Sequence, residues 1–186
     1  DFRATNMTFN ALPKNIADKA ASIKLVALDV DGVMTSGSVY FSAQGDELKA
    51  FNILDGQGIK ALMKHDIEVA IITGRTSALT ARRAKDLGIK NILQGREDKK
   101  IALGEISEEL GISFDQICYV GDDLPDLSAI TSVQLGITVP NAHSLIKKHA
   151  AHCTQTPGGQ GAVREVSDLI LEAKGLLEAY HQSYLS

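Results

Sequence analysis

The sequence has no tryptophan, only four prolines and two cysteines, and an aromatic content of 5%. The two cysteines, Cys118 and Cys153, are too few for a disulfide framework and form no metal motif. Cys118 lies in an apolar run and reads as a small core residue. No apolar stretch approaches the roughly 18–20 residues that a bilayer-spanning helix needs. Basic residues are not in excess. With 19 Lys+Arg against 23 Asp+Glu, the formal net charge is -4, which argues against a nucleic-acid binder or a basic membrane-surface protein. The first residues lack a charged-then-apolar signal pattern, so the expected location is the cytoplasm. Internal repeats, linkers and low-complexity segments are also missing, and 186 residues suit one domain.

The most informative stretch present is Lys24-Leu-Val-Ala-Leu-Asp-Val-Asp-Gly-Val33. It reads as a buried strand ending in Asp29 and Asp31. Side chains alternate along a strand, so carboxylates at i and i+2 start out on the same side. Such a pair is costly to hold at a buried strand end unless a cation or partner shares the charge.

Residues 1–10 carry no strong pattern and are expected to fray. A short helix is predicted over 13–22, with Pro13 at its start, followed by the opening strand at 23–29. Two β-prone runs, 39–41 and 48–51, flank Ala43-Gln-Gly-Asp46 and read as a hairpin. An isolated hairpin is marginal in water, so Tyr40, Phe41 and Phe51 must pack on something: their own domain or a neighbouring subunit. From residue 55 helix and strand alternate, with helices at 55–65, 76–87, 98–110, 144–149 and 163–180 and strands at 67–72, 89–93, 116–120 and 133–139. A helical turn follows Pro125. This alternation predicts an α/β fold with a doubly wound parallel sheet. The segmentation is a tail and short helix over 1–22, a hairpin over 37–52, and a glycine-rich segment and terminal helix over 156–186.

In open α/β sheets, sites form beyond the carboxyl ends of the strands. There the sequence places Thr73-Gly74-Arg75, Gly121-Asp122-Asp123 with Asp126, and Lys99 at a helix start. Each has a structural explanation as turn, cap or solvated charge, and Lys100 competes with Lys99. Together, carboxylates, a hydroxyl, a lysine and a bidentate phosphate donor on one rim point to a phosphate substrate with magnesium. His143, His149 and His152 share no strand-end placement and read as surface or structural residues.

With Asp29-Val-Asp31-Gly-Val33, Thr73, Lys99 and Gly121-Asp122-Asp123 in this order, the chain resembles the haloacid dehalogenase superfamily over about residues 23–175. The resemblance implies a phosphatase with Asp29 as nucleophile and Asp31 as acid and base. Thr73 and Lys99 would hold phosphoryl oxygens. Magnesium would lie among the Asp29 carboxylate, the Asp31 backbone carbonyl and the Asp122 carboxylate. Asp123 and Asp126 would support these residues or the lysine.

The gaps between Asp31, Thr73 and Lys99 are too short for a cap domain. Gly45-Asp-Glu-Leu-Lys-Ala-Phe-Asn52, Asp55-Gly56, Ile71-Ile-Thr-Gly-Arg75 and Gly158-Gly-Gln-Gly-Ala-Val-Arg-Glu165 resemble a capless branch, the 3-deoxy-D-manno-octulosonate 8-phosphate phosphatases of lipopolysaccharide precursor synthesis. That resemblance implies a homotetramer built on four hairpins, with the glycine-rich segment reaching a neighbouring active site. It also implies substrate contacts at Asp31, Asn52, Ile53, Leu54, Asp55, Gly56, Lys60, Arg75, Arg83 and Lys99. The chain departs from that branch at Leu54 and Lys60, where basic side chains, at Lys60 specifically arginine, are common. A nine-carbon sugar-acid 9-phosphate phosphatase and a non-catalytic assembly module are the competing readings.

Overall fold

The computed structural model describes residues 12–186; the predicted frayed segment, 1–10, lies outside the described residues. In chain order, α1 (Lys14–Ala21) leads into β1 (Leu25–Leu28), and a hairpin of β2 (Tyr40–Phe41) and β3 (Glu47–Leu48) follows. Next come α2 (Ile53–Lys64), β4 (Glu68–Ile72), α3 (Ala78–Leu87), β5 (Asn91–Leu93), α4 (Lys99–Leu110) and β6 (Ile117–Val120). The chain finishes with α5 (Leu127–Ile130), β7 (Leu135–Thr138), α6 (Ser144–His149), β8 (His152–Cys153), α7 (Ala162–Ala173) and α8 (Leu177–Gln182).

Six strands form one parallel sheet in the order β5-β4-β1-β6-β7-β8. The chain builds outward from β1 in one direction and then returns to build outward in the other. The reversal falls between β1 and β6, the place where doubly wound sheets open a crevice at their carboxyl ends. Strand alternation divides the core in two. Val26 and Leu28 face a layer with Ile59, Leu62, Val166 and Ile170, while Leu25 and Ala27 face Ala102, Leu103, Ile106 and Ile146. The strands are buried on both faces, which is why their sequence runs are continuously apolar. Between β1 and β4 stand only the hairpin and α2, so no cap domain is present among the described residues.

The expected α/β alternation is observed, with element ends displaced by no more than three residues in either direction. Two features differ. The predicted terminal helix over 163–180 is two helices, broken where Gly175 takes a positive φ of 71° and Leu176 N–H bonds back to the Leu171 carbonyl. The edge strand β8, two residues long, carries no periodic signal and was not predicted.

Asp55, expected to touch substrate, is buried at 2% exposure and accepts the Arg164 N–H at 3.0 Å. The first N–H groups of a helix lack intrahelical acceptors, and the residue before α7 is Gly161, which has no side chain to supply one. Asp55 therefore caps α7 from α2. Burial pushes its carboxyl up from 3.8 to about 6, partly offset by the Arg164 and Val163 N–H groups and the charge of Arg83. The folded state thus binds this proton more tightly than the unfolded chain. The resulting stabilisation is complete below about pH 4 and is lost as pH rises through 6, by roughly 3 kcal/mol. Asp55→Asn should remove this part of the slope, so urea midpoints of variant and wild type should converge or diverge only between pH 4 and 6. A constant difference across that window would show that Asp55 is not the titrating group.

Candidate active site

Asp29 follows the last residue of β1, and its N–H donates to the Val120 carbonyl at 3.0 Å. Past it the chain curls tightly, with the N–H groups of Val33, Met34 and Thr35 all bonding the Val30 carbonyl. The Thr35 hydroxyl accepts the N–H groups of Gly32 and Gly37. Gly32 has a φ of 89°, and a Cβ there would overlap the Asp122 carboxylate. Only glycine lets the loop run so close to the end of β6.

The Asp29 carboxyl is fixed by Oδ1, which accepts the Val30 N–H at 2.7 Å and lies 3.1 Å from Lys99 Nζ. Lys99 is the first residue of α4 and is 2% exposed. Its ammonium also donates to the Ile72 carbonyl and to Asp126 Oδ1, both at 3.0 Å. Burial acts to depress its pKa, but the charges of Asp29 and Asp126 outweigh that and hold it above its usual value. Lys100 is exposed, which resolves the choice between the neighbouring lysines.

Asp126 is filled on every side. Oδ1 also accepts the Tyr119 hydroxyl at 2.6 Å, and Oδ2 accepts the N–H groups of Asp122 and Asp123 at 3.0 and 3.2 Å. Asp123 caps the turn that follows, accepting the Leu124 N–H at 2.8 Å.

Asp29, Asp122 and Asp126 can each bring a carboxylate oxygen within 4.8 Å of the others. Burial, then the charge of Asp126, drives the Asp29 carboxyl well above its ordinary range, with Asp122 adding to the rise and Lys99 opposing it. Burial likewise raises Asp122 to about 6, reinforced by Asp126 and Asp123. Two carboxyls that resist ionising side by side fit a divalent cation, whose charge removes that resistance. Since Asp126 has its oxygens bonded, Asp29 and Asp122 are the pair that suits a hard, oxygen-liganded ion.

A cleft of about 280 Å³ opens here, lined by Asp29, Asp31, Thr73, Arg75, Lys99 and Asp122 among others. Every residue expected to do catalysis or hold metal thus meets at one place. Thr73 follows the last residue of β4 and is buried. Arg75 is about half exposed at the mouth.

The remaining expected substrate contacts lie elsewhere within the chain. Asn52, Ile53, Leu54, Asp55, Gly56, Lys60 and Arg83 do not line this cleft. Ile53 and Leu54 are exposed at 80% and 52%, and Lys60 is exposed on α2. Asp55 caps α7. Asn52 caps α2 by accepting the Leu54 N–H at 2.8 Å. Arg83 donates to the Asn52 carbonyl at 3.3 Å and leaves Nε buried without a partner; a Cβ at Gly56 would crowd its guanidinium.

The glycine-rich segment also makes contacts within its own chain. It packs on the loop that follows Asp29: Gly159 N–H donates to the Val33 carbonyl at 3.2 Å. Asn141 bridges the two, donating to the Gly32 carbonyl at 3.0 Å and accepting the Gly158 N–H at 2.9 Å. A Cβ at Gly158 would overlap the Gly32 carbonyl. Neither Asn141 nor Tyr119 was foreseen: Asn141 stands beside no recognisable motif, and Tyr119 reads as one more apolar residue of the strand before Gly121-Asp122-Asp123. Lys49, also missed, reaches Asp31 from the hairpin. His143 caps α6, and His149 and His152 stand outside the cleft, as expected.

A family model described as haloacid dehalogenase-like hydrolase matches residues 88–166. The chain is 45% identical over 170 residues to 3-deoxy-D-manno-octulosonate 8-phosphate phosphatase KdsC of Yersinia pestis, covering 91% of each chain. It belongs to the 3-deoxy-D-manno-octulosonate 8-phosphate phosphatase family. Two solved structures agree with this membership. One is the family's enzyme from Moraxella catarrhalis in complex with magnesium, phosphate and KDO, 44% identical with a TM-score of 0.90 over 92% of this chain and 98% of that one. The other, a probable YrbI-family phosphatase of Pseudomonas syringae, is 48% identical with a TM-score of 0.92 over 94% and 99%.

In this member of the phosphatase family, Asp126 shares with Asp29 the charge of the buried lysine. Asp126→Ala should lower unfolding stability by about 3–5 kcal/mol, because it takes away one of the two carboxylates that meet the Lys99 charge and leaves the Tyr119 hydroxyl and the Asp122 and Asp123 N–H groups without their acceptor. Urea denaturation checks this, and a loss under about 1 kcal/mol would contradict it.

Proposed function

We propose that the chain is a magnesium-dependent phosphatase that hydrolyses 3-deoxy-D-manno-octulosonate 8-phosphate to the free sugar acid and phosphate. The observation that carries the reading is the single cleft at the β1–β6 reversal in which Asp29, Asp31, Thr73, Lys99 and Asp122 meet. Family membership supplies the substrate class.

In this reading the Asp29 carboxylate attacks phosphorus, a P–O bond to aspartate forms, and the bond to the sugar oxygen breaks. Asp31 gives its proton to the departing oxygen. It then takes one from a water, whose oxygen attacks phosphorus and frees Asp29. Val30 N–H and Lys99 hold the Asp29 carboxyl against rotation, which keeps it aimed. Lys99 and the Thr73 hydroxyl stabilise charge on the phosphoryl oxygens. The Asp29 and Asp122 carboxylates and the Asp31 backbone carbonyl would hold magnesium, which would supply Lewis-acid stabilisation of charge at the site. Arg75 at the mouth suits the anionic substrate by its bidentate geometry.

We also infer a homotetramer. The hairpin over 37–52 exposes Tyr40, Phe41 and Leu48 at 52%, 66% and 57%, and Ile53 and Leu54 adjoin it. A two-stranded ribbon with such a face is marginal alone and is stabilised by packing on another chain. Asn52, Ile53, Leu54, Lys60 and Arg83 lie outside the chain's own cleft, so we assign their substrate contacts to the neighbour's site; Asp55 and Gly56 are buried within this chain and we give them a supporting role. No helix among the described residues is long and apolar enough to cross a membrane, consistent with the cytoplasmic assignment. Among sugar acids, the Gly158–Glu165 segment favours the eight-carbon over the nine-carbon substrate, despite Leu54 and Lys60. The complete carboxylate set argues against a purely non-catalytic module.

Phosphate release from a panel of sugar-acid phosphates should favour the eight-carbon 8-phosphate over the nine-carbon 9-phosphate by at least roughly tenfold in kcat/KM. It should stop on chelation, return with magnesium, and be abolished by Asp29→Asn. A nine-carbon preference would overturn the specificity, and retained turnover in Asp29→Asn the mechanism. By light scattering the wild type should have the mass of four chains, and Phe41→Glu should reduce it; a monomeric wild type would refute the assembly.

A further inference from the structure

Lys49 is the one lysine or arginine of the hairpin segment 37–52. Side chains alternate along an extended arm, so Glu47 and Lys49 leave one face and Leu48 the other. Leu48 is exposed, whereas the Lys49 side chain is 1% exposed. Its ammonium pairs with Asp31 Oδ1 at 2.5 Å and lies 3.5 Å from Glu47 Oε1. Glu47 in turn accepts from Arg75 Nη2 at 2.9 Å, and Arg75 Nε stands 3.8 Å from Asp31 Oδ2. Two cations and two carboxylates thus close a ring that joins the hairpin, the loop after β1 and the loop after β4.

A lysine buried to this degree is not a solvated surface charge. Withdrawing an ammonium from water is costly unless an anion meets it, and the anion here is a residue of the cleft. Lys49 itself does not line the cleft, and none of the chemical steps above uses it. Asp31 has its recorded side-chain partners outside its own loop: Lys49 in close contact, and a half-exposed Arg75 farther off.

We propose that Lys49 is a positioning residue for Asp31, holding the acid/base carboxyl in the orientation that proton transfer needs. This rests on the role given to Asp31 above. The hairpin then has two tasks on opposite faces: Leu48 outward for packing and Lys49 inward for chemistry. Seating of the hairpin and aim of the carboxyl become one event.

The test compares Lys49→Met and Lys49→Arg with the wild type, each alone and with Asp31→Asn, on the sugar-acid 8-phosphate. The first-turnover burst from p-nitrophenyl phosphate, whose leaving group needs no proton, is followed alongside. Lys49→Met should lower kcat for the sugar-acid ester by roughly 10- to 100-fold with KM within about threefold, since small misplacements of a reacting group cost that much. Lys49→Arg should recover most of the loss. With Asp31→Asn present, Lys49→Met should cost less than about twofold, because its target is gone. A kcat for Lys49→Met within about twofold of wild type, or an equal penalty in both backgrounds, overturns the proposal. If Lys49→Met loses its native mass or circular dichroism, Lys49→Gln carries the same comparison. A wild type that releases no phosphate would instead defeat the assigned function, so the two failures are distinct.

Discussion

Lys99 and Asp126 are both almost wholly removed from water, and the rest of the site depends on how that is made tolerable. Taking two charges into an interior costs several kcal/mol per ion, and attraction alone rarely offsets it. Here every remaining valence is used. The ammonium has a backbone carbonyl and two carboxylates, and Asp126 has a phenol and two N–H groups. A fully bonded pair of this kind is rigid, and it carries one spare attraction, directed at Asp29. Asp29 is therefore held by a lysine that cannot move away from it.

The sheet supplies the rest. Its direction reverses between β1 and β6, so the loops after these strands diverge and leave a gap with Asp29 on one wall and Asp122 on the other. Gly32 lets the walls approach, and Asn141, from the loop after β7, ties the near one in place. Each contributor sits at a strand's carboxyl end or a helix's first turn, on backbone fixed by the core beneath. Precise chemistry on rigid elements asks little of the loops beyond small residues where they crowd.

Much of this was legible in the residues. The parallel sheet followed from continuous apolar runs alternating with helical periods, and Asp29, Asp31, Thr73, Lys99 and Asp122 from their places at strand and helix ends. What stayed hidden had local causes. Tyr119 looks like one more apolar strand residue, because a buried phenol shows its need for a partner only once the partner is placed. Lys49 looks like a surface lysine on a polar hairpin, although its spacing from Glu47 already put both on one face. The break at Gly175 was passed over because the apolar period continues across it. Asn52–Gly56, Lys60 and Arg83 resist a single-chain reading, since one chain does not bring them to the cleft.

The glycine strap has a consequence for how the molecule comes into being. Asn141 and Gly158 clasp the loop after β1 from 109 and more residues downstream, and Asn52 bonds the Gly159 carbonyl across a similar span. Contacts of such separation close large loops and form late, after local structure is in place. A nascent chain that has emerged only to residue 140 already contains Asp29, Asp31, Thr73, Lys99 and Asp122, yet lacks both hands of the clasp. Asp29 and its partners in the cleft are therefore translated well before the residues that clasp the loop after β1.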